Sequence, residues 1–152
     1  MWEQLQNGIL VGDIRSIARA ISLVENEVVG FEHFLASLPE QNNCEIIGIT
    51  GPPGAGKSTL TDAIIEEYVE QGEMVAVICI DPSSPFNMGA LLGDRIRMNR
   101  WYNHPKVFIR SVASRGALGG LSPMVIDITE VVKAAGFSRI IVETVGVGQS
   151  EV

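Results

Sequence analysis

Short apolar runs alternate with longer helical segments along the chain from residue 46 onward. The runs are rich in β-branched residues and too short for helices, which predicts four strands, at residues 46–50, 75–80, 107–109 and 140–142. Helices are predicted between them, at residues 57–71, 90–100 and 122–135. Because strands and helices alternate, we predict an α/β fold with a mostly parallel sheet and right-handed helical crossovers.

Two predicted helices precede this pattern and belong to an N-terminal helical extension, called the helical preface below. Apolar residues recur at three- and four-residue steps over residues 13–24, where Asp13 is placed to cap the first turn, and over residues 27–38, which Pro39 follows. The polar stretch at residues 40–43 then separates the two patterns. We therefore expect an N-terminal helical extension at residues 1–42 and a nucleotide-binding domain at residues 43–152.

Composition narrows the class of protein. With 152 residues, 46% of them hydrophobic, the chain can bury one sizeable core. Its net charge of −7, spread along the chain, argues against nucleic acid or an anionic membrane as the main partner. Neither a leader pattern nor 18 uninterrupted apolar residues occur, and Cys44 and Cys79 belong to no metal-binding pattern. These features predict a cytoplasmic protein with reduced thiols.

The most specific local signal is a phosphate-binding loop. Its residues fit the pattern G-x-x-x-x-G-K-[ST] between a predicted strand and a predicted helix, and they are Gly51, Pro52, Pro53, Gly54, Ala55, Gly56, Lys57 and Ser58. Glycines let backbone N–H groups converge on phosphate oxygens at the positive end of the helix. Lys57 then supplies charge to the β- and γ-phosphates, Ser58 a hydroxyl ligand for Mg²⁺, and Thr59 a contact to the α-phosphate. The alternative is a glycine-rich turn that binds no ligand.

Two acidic residues end predicted strands at the edge of the sheet where the phosphates would lie. Asp81 follows the strand at residues 75–80, where it could hold Mg²⁺ directly or through water, or could simply be a turn residue before Pro82. Glu143 ends the strand at residues 140–142, where it could lie in the second shell of the metal or be a solvated strand terminus. Both interpretations stay open for each residue at this point.

Other candidates lie in predicted loops. Gly146 has no side chain, which would let its backbone N–H approach a γ-phosphate, as in a switch loop. Gln149 could orient a water molecule or be solvated, and spacing alone does not decide whether Asp94 approaches the metal. The cations and aromatics at residues 95–102 favour a solvated helix end over a nucleic-acid site. Arg110 could reach either a phosphate or a partner protein.

Four motifs in this order resemble the MeaB/ArgK family of GTPases. They are the phosphate loop at residues 51–59, Asp-Pro-Ser-Ser at 81–84, Gly-Asp-Arg-Ile-Arg-Met at 93–98, and Glu-Thr-Val-Gly-Val-Gly-Gln-Ser-Glu at 143–151. The resemblance covers nearly the whole chain. It implies a SIMIBI-class P-loop GTPase that acts as chaperone for an adenosylcobalamin-dependent acyl-CoA mutase of the methylmalonyl-CoA mutase type, protecting it and gating cofactor loading.

The resemblance also assigns roles to residues. It implies that GTP or GDP and Mg²⁺ are bound by the phosphate loop with Thr59 and Gly146. It implies catalytic roles for Lys57, Asp81, Asp94 and Glu143, and metal ligation by Ser58 together with the same three carboxylates. Members of the family are expected to be homodimers.

The expected guanine-recognition segment and C-terminal dimerisation helices do not follow the last motif, which suggests a truncated chain and leaves guanine selectivity open. Two alternatives are kept. One is a nucleotide-dependent kinase linked to arginine and ornithine transport, and the other is a catalytically silent nucleotide-binding fragment. A kinase would need an acceptor pocket with its own base, and the sequence offers no such group of residues.

Overall fold

Four parallel strands form one sheet in the computed structural model, which describes residues 1–41, 43–51, 56–81, 100–113 and 123–144. The strands are β1 (Glu45–Ile49), β2 (Val75–Asp81), β3 (Val107–Ala113) and β4 (Arg139–Thr144). They lie in the order β1-β4-β2-β3, and every neighbouring pair is parallel. The predicted parallel sheet is therefore confirmed, although β3 and β4 extend beyond the apolar runs that predicted them.

Five helices accompany the sheet among the described residues. They are α1 (Trp2–Leu10), α2 (Ile14–Glu25), α3 (Phe31–Ser37), α4 (Lys57–Glu70) and α5 (Pro123–Ala134). Helix α1 was not predicted, and α3 is shorter than the predicted helix at residues 27–38. The chain turns before α3, where Glu27 and Gly30 have φ angles of 50° and 96°. Most of the helix predicted at residues 90–100 lies outside the described residues.

The start of α2 follows the capping prediction. The side chain of Asp13 accepts hydrogen bonds from the backbone N–H of Ser16 at 3.0 Å and from its hydroxyl at 2.6 Å. These bonds satisfy helix N–H groups that have no partner within the helix, and the hydrogen bonds from Ser16 lower the pKa of the Asp13 carboxyl. Asp13 therefore fixes the first turn of the helix that the preface uses to pack on the sheet.

The hydrophobic core lies on both faces of the sheet. Alternate residues of β2 point to opposite faces, and all seven residues of this strand are buried. Ala76, Ile78 and Ile80 pack in a cluster with residues of α2 and α5, whereas Val75, Val77 and Cys79 pack in a cluster with Ile65 of α4. Among the described residues, α4 and Trp101 therefore cover one face, and the helical preface covers the other together with α5.

Side chains of α2 bind the edge strand β3. The guanidinium Nη2 of Arg110 donates to the hydroxyl of Ser22, and the backbone N–H of Ala113 donates to the carboxylate of Glu25 at 3.2 Å. The second bond satisfies a backbone N–H of β3, which is an edge strand among the described residues. The first bond assigns Arg110 a structural contact with the preface.

Both cysteines are thiols and are not joined in a disulfide. Cys79 is buried and Cys44 is half-buried, and burial raises the pKa of the Cys44 thiol. Within the described ranges, no helix is both long enough and apolar enough to cross a bilayer.

Candidate functional site

The phosphate loop joins β1 to α4 at the carboxyl edge of the sheet. Its first residue, Gly51, lies two positions after Ile49, the last residue of β1, and Gly56 precedes the first residue of α4 with a φ of 88°. This left-handed conformation favours glycine. Gly56 has no side chain that could cap the helix, and a helix N-terminus of this kind is a position where proteins hold anions. Pro52, Pro53, Gly54 and Ala55 lie outside the described residues.

Lys57 begins α4 and reaches across to β4. Its side chain is almost fully buried, at 9% exposure, and its Nζ donates to the backbone carbonyl of Thr144 at 2.5 Å. The hydroxyl of Thr144 in turn donates to the carbonyl of Ile49 at 3.5 Å. Thr144 is therefore bonded both to the first residue of α4, after the phosphate loop, and to the last residue of β1, before it.

Glu143 precedes Thr144 and is completely buried, with 0% exposure. This overturns the interpretation of Glu143 as a solvated strand terminus. Its register partners are Ile49 on β1 and Cys79 on β2, so it lies between the phosphate loop and Asp81. Oε2 accepts a hydrogen bond from the hydroxyl of Thr61 at 3.5 Å, whereas Oε1 is buried without a hydrogen-bond partner in the described part of the chain.

Asp81 ends β2 and is also buried, at 8% exposure. Side chains two residues apart on a strand share a face, so Asp81 follows Cys79, and Glu143 follows Ile141, onto the face covered by α4. The two carboxylates therefore lie on the same face and at the same edge of the sheet as the start of α4. Ser58 is half-buried in the first turn of α4, and Thr59 beside it is exposed.

The oxygen donors here suit Mg²⁺. Hydroxyl and carboxylate oxygens are its preferred protein ligands, and the unpaired Oε1 of buried Glu143 is a polar atom that lacks a partner. Among the described residues, no group of three His, Cys, Asp or Glu side chains could hold a metal ion. The hydroxyl of Ser58 and the carboxylates of Asp81 and Glu143 fit an ion that takes its other ligands from phosphate and water, as Mg²⁺ commonly does. Asp94, Gly146 and Gln149 lie outside the described residues.

The expected solvated helix end at residues 95–102 is wrong for Trp101, whereas Arg100 is exposed. Trp101 is buried, at 4% exposure, and its indole Nε1 donates to the carboxylate of Asp62 on α4 at 2.5 Å. Arg100 forms ion pairs with Asp62 at 3.4 Å and with Glu66 at 2.9 Å, and its guanidinium lies 4.4 Å from the centre of the Trp101 ring. These contacts fix residues 100 and 101 against the phosphate-loop helix.

Sequence reasoning did not identify Thr61 or Thr144 as part of the site. Thr61 lies four residues after Lys57 on α4, which places the two on the same face of the helix. That spacing could have predicted Thr61 as a neighbour of Lys57 in the site. No comparable signal exists for Thr144, because its contribution comes from its backbone carbonyl.

Comparisons with known proteins identify the family of the chain. The family model described as "Methylmalonyl Co-A mutase-associated GTPase MeaB" matches residues 17–152. A Pyrococcus horikoshii protein is 51% identical over 151 residues, which cover 99% of this chain and 48% of that protein. The chain thus spans about half the length of this relative.

Two further matches concern a fused enzyme and the fold. The fused isobutyryl-CoA mutase of Geobacillus kaustophilus is 40% identical over 151 residues, 92% of this chain and 14% of that protein. The crystal structure of FtsY from Mycoplasma mycoides matches with a TM-score of 0.52 and 18% identity, over 98% of this chain and 54% of that one. This likeness agrees with the predicted α/β fold, a mostly parallel sheet flanked by helices. On its residues and its family match, the chain belongs to the MeaB family of methylmalonyl-CoA mutase-associated GTPases.

Proposed function

We propose that the protein binds GTP with Mg²⁺ and hydrolyses its β–γ phosphoanhydride. The observation that carries this proposal is the position of Lys57, which is held against the end of β4 beside the buried carboxylate of Glu143. A buried ammonium group at the N-terminus of a helix suits the phosphates of a nucleotide. The description of the matching family as GTPases supports the choice of nucleotide.

The proposed reaction is attack of water on the γ-phosphorus, with release of inorganic phosphate. Lys57 stabilises the negative charge that develops on the transferred phosphoryl group and on the leaving β-phosphate oxygen. The N–H groups at the start of α4 hold the phosphates in place, and Gly146 contributes a further N–H to the γ-phosphate. When bound, Mg²⁺ neutralises phosphate charge. Ser58, Asp81, Asp94 and Glu143 would hold it directly or through water.

We further propose that the protein is a chaperone of an adenosylcobalamin-dependent acyl-CoA mutase. In this role it protects a mutase of the methylmalonyl-CoA type and gates the loading of its cofactor. The name of the matching family and the similarity to a part of a fused isobutyryl-CoA mutase support a link to mutases. A cytoplasmic location and a homodimeric full-length protein complete this proposal.

The test of the reaction is phosphate release from GTP by the natural full-length protein with Mg²⁺. Release without any acceptor, with GDP competing better than ADP against a fluorescent guanine nucleotide, supports the GTPase. Strict dependence of turnover on added arginine or ornithine would instead support the kinase alternative. Nucleotide binding without turnover in either assay would leave only a silent binding protein.

The mutase proposal needs a separate measurement. Co-elution of the full-length protein with a methylmalonyl-CoA mutase is compared in GDP and in a non-hydrolysable GTP analogue. A complex whose rate of adenosylcobalamin loading depends on the nucleotide supports the gating role. Loading rates that are equal with both nucleotides and without the protein would contradict it.

A further inference from the structure

We propose that Thr61 is a positioning residue that orients the carboxylate of Glu143 toward the metal and its water shell. The inference rests on the proposed Mg²⁺-dependent GTPase function. Thr61 lies inside α4, is 1% exposed, and donates its hydroxyl proton to Oε2 of Glu143. Nothing in the phosphate-loop pattern includes this residue, since the pattern ends at Ser58.

The direction of the Thr61 hydroxyl is informative because a threonine in a helix usually has a local alternative. Its hydroxyl can bond a backbone carbonyl three or four residues earlier in the same helix. Thr129 in α5 does this, with its hydroxyl donating to the carbonyl of Ile126 at 2.6 Å, and it is buried to a similar extent at 4% exposure. The hydroxyl of Thr61 leaves its own helix and contacts the strand β4 instead.

This contact decides which oxygen of Glu143 remains available. The terminal torsion of a glutamate side chain is soft, so hydrogen bonds largely determine how its carboxylate plane is rotated. Here Oε2 is held by Thr61, and Oε1 is buried without a partner among the described residues. A buried carboxylate oxygen without a donor is costly, which indicates that Oε1 is reserved for a ligand.

Position on the helix explains why Thr61 acts through Glu143. Lys57 lies one turn earlier on the same face and reaches Thr144, the last residue of β4. The two α4 side chains therefore contact consecutive residues of β4, Lys57 the carbonyl of Thr144 and Thr61 the carboxylate of Glu143. Lys57 is the candidate for direct phosphate contact, and Thr61 fixes the carboxylate beside it.

The test compares Thr61→Val with Thr61→Ser in the natural full-length protein. Valine keeps the branched shape without the hydroxyl, and serine keeps the hydroxyl. Thr129→Val is the matched control, because it removes a buried threonine hydroxyl that bonds its own helix. Three quantities are measured for each protein: the affinity for a fluorescent GDP in EDTA, the Mg²⁺ concentration that half-saturates the nucleotide complex, and single-turnover GTP hydrolysis.

We expect Thr61→Val to raise the half-saturating Mg²⁺ concentration, and to slow hydrolysis, by about 10-fold or more, as for loss of an outer-shell partner. Affinity in EDTA stays unchanged, and Thr61→Ser recovers most of both losses. Equal effects of Thr61→Val and Thr129→Val, or an unchanged Mg²⁺ requirement, would overturn the role of Thr61 alone. A parent protein that binds nucleotide without any Mg²⁺ effect would overturn the proposed function and this inference together.

Discussion

The Nζ atom of Lys57 lies 2.5 Å from the carbonyl oxygen of Thr144, although 87 positions separate the two residues in the sequence. The two residues meet because β1 and β4 are parallel neighbours in the sheet. β4 lies directly beside β1, and the phosphate loop leaves β1 at the edge where β4 ends. The bond places the ammonium group of the phosphate loop at the point where the chain enters the motif that begins with Glu143.

Lys57→Ala tests the phosphate loop. We expect it to weaken the binding of GDP and GTP by about 10- to 100-fold, because hydrogen bonds to charged groups contribute about 1.5–3 kcal/mol. Titration of a fluorescent guanine nucleotide measures the change. Lys106→Ala, at an exposed lysine away from the site, is the control and should bind as the parent does. Undiminished affinity in Lys57→Ala would remove the central claim of a phosphate site.

Glu143→Gln tests the buried carboxylate. The amide keeps the size of the side chain but removes its charge, so we expect GTP hydrolysis to fall by about 100-fold or more with nucleotide affinity in EDTA preserved. Pre-steady-state phosphate release measures the rate. The control is Glu130→Gln on α5, which alters only an ion pair with Lys133 and should leave turnover unchanged. Equal rates in Glu143→Gln and the parent would exclude a catalytic role for this residue.

Trp101 and Asp62 form a pair that fixes residue 101 to α4. Removal of the indole donor in Trp101→Phe should lower the free energy of unfolding by about 1–2 kcal/mol, since Asp62 loses a charge-assisted hydrogen bond. A double-mutant cycle with Asp62→Ala, followed by urea denaturation, isolates the pair from the loss of indole packing. Additive effects, with a coupling energy near zero, would show that the bond contributes no stability.

Asp13 makes the stability of α2 dependent on pH. Because hydrogen bonds from Ser16 lower its pKa in the folded state, the cap stabilises the protein above the unfolded pKa of about 3.9. This contribution is lost as the pH falls through the lower folded value. Asp13→Ala should therefore melt a few degrees below the parent at pH 7, and the difference should shrink in acid.

Asp13→Asn is the matched control for this measurement. Asparagine keeps an oxygen that accepts from the N–H of Ser16 but carries no titratable group. Its melting temperature should lie near that of the parent at pH 7, with a smaller change in acid. A parent and an Asp13→Ala variant that differ equally at pH 7 and pH 3 would contradict the assigned cause of the pH dependence.

Local patterns predicted the strands better than the preface. Short β-branched runs located all four described strands, because such runs are too short for helices. The buried strands β2 and β4 are apolar on both faces and need no long-range information to be recognised. The preface was less predictable. Helix α1 was missed, although its buried Leu5 and Ile9 follow helical spacing, and α3 begins four residues later than predicted because of the turn around Gly30.

The site was predictable only where it forms a continuous motif. Lys57 and Ser58 directly follow the glycines of the phosphate-loop pattern, so their spacing in the sequence is enough to predict a phosphate site. Arg110 could not be assigned from its neighbours in the sequence, because its partner Ser22 belongs to the preface. Trp101 was misjudged for the same reason, since its partner Asp62 lies on a helix that precedes it by many residues.

The sequence by itself determined the element types, the phosphate loop and the two acidic strand ends, because each depends on residues close together in the chain. Tertiary structure alone decided that β4 lies next to β1, that Glu143 is fully buried, and that Thr61 holds one of its oxygens. Burial and hydrogen-bond partners depend on which strands and helices pack together, and local sequence patterns do not specify that arrangement.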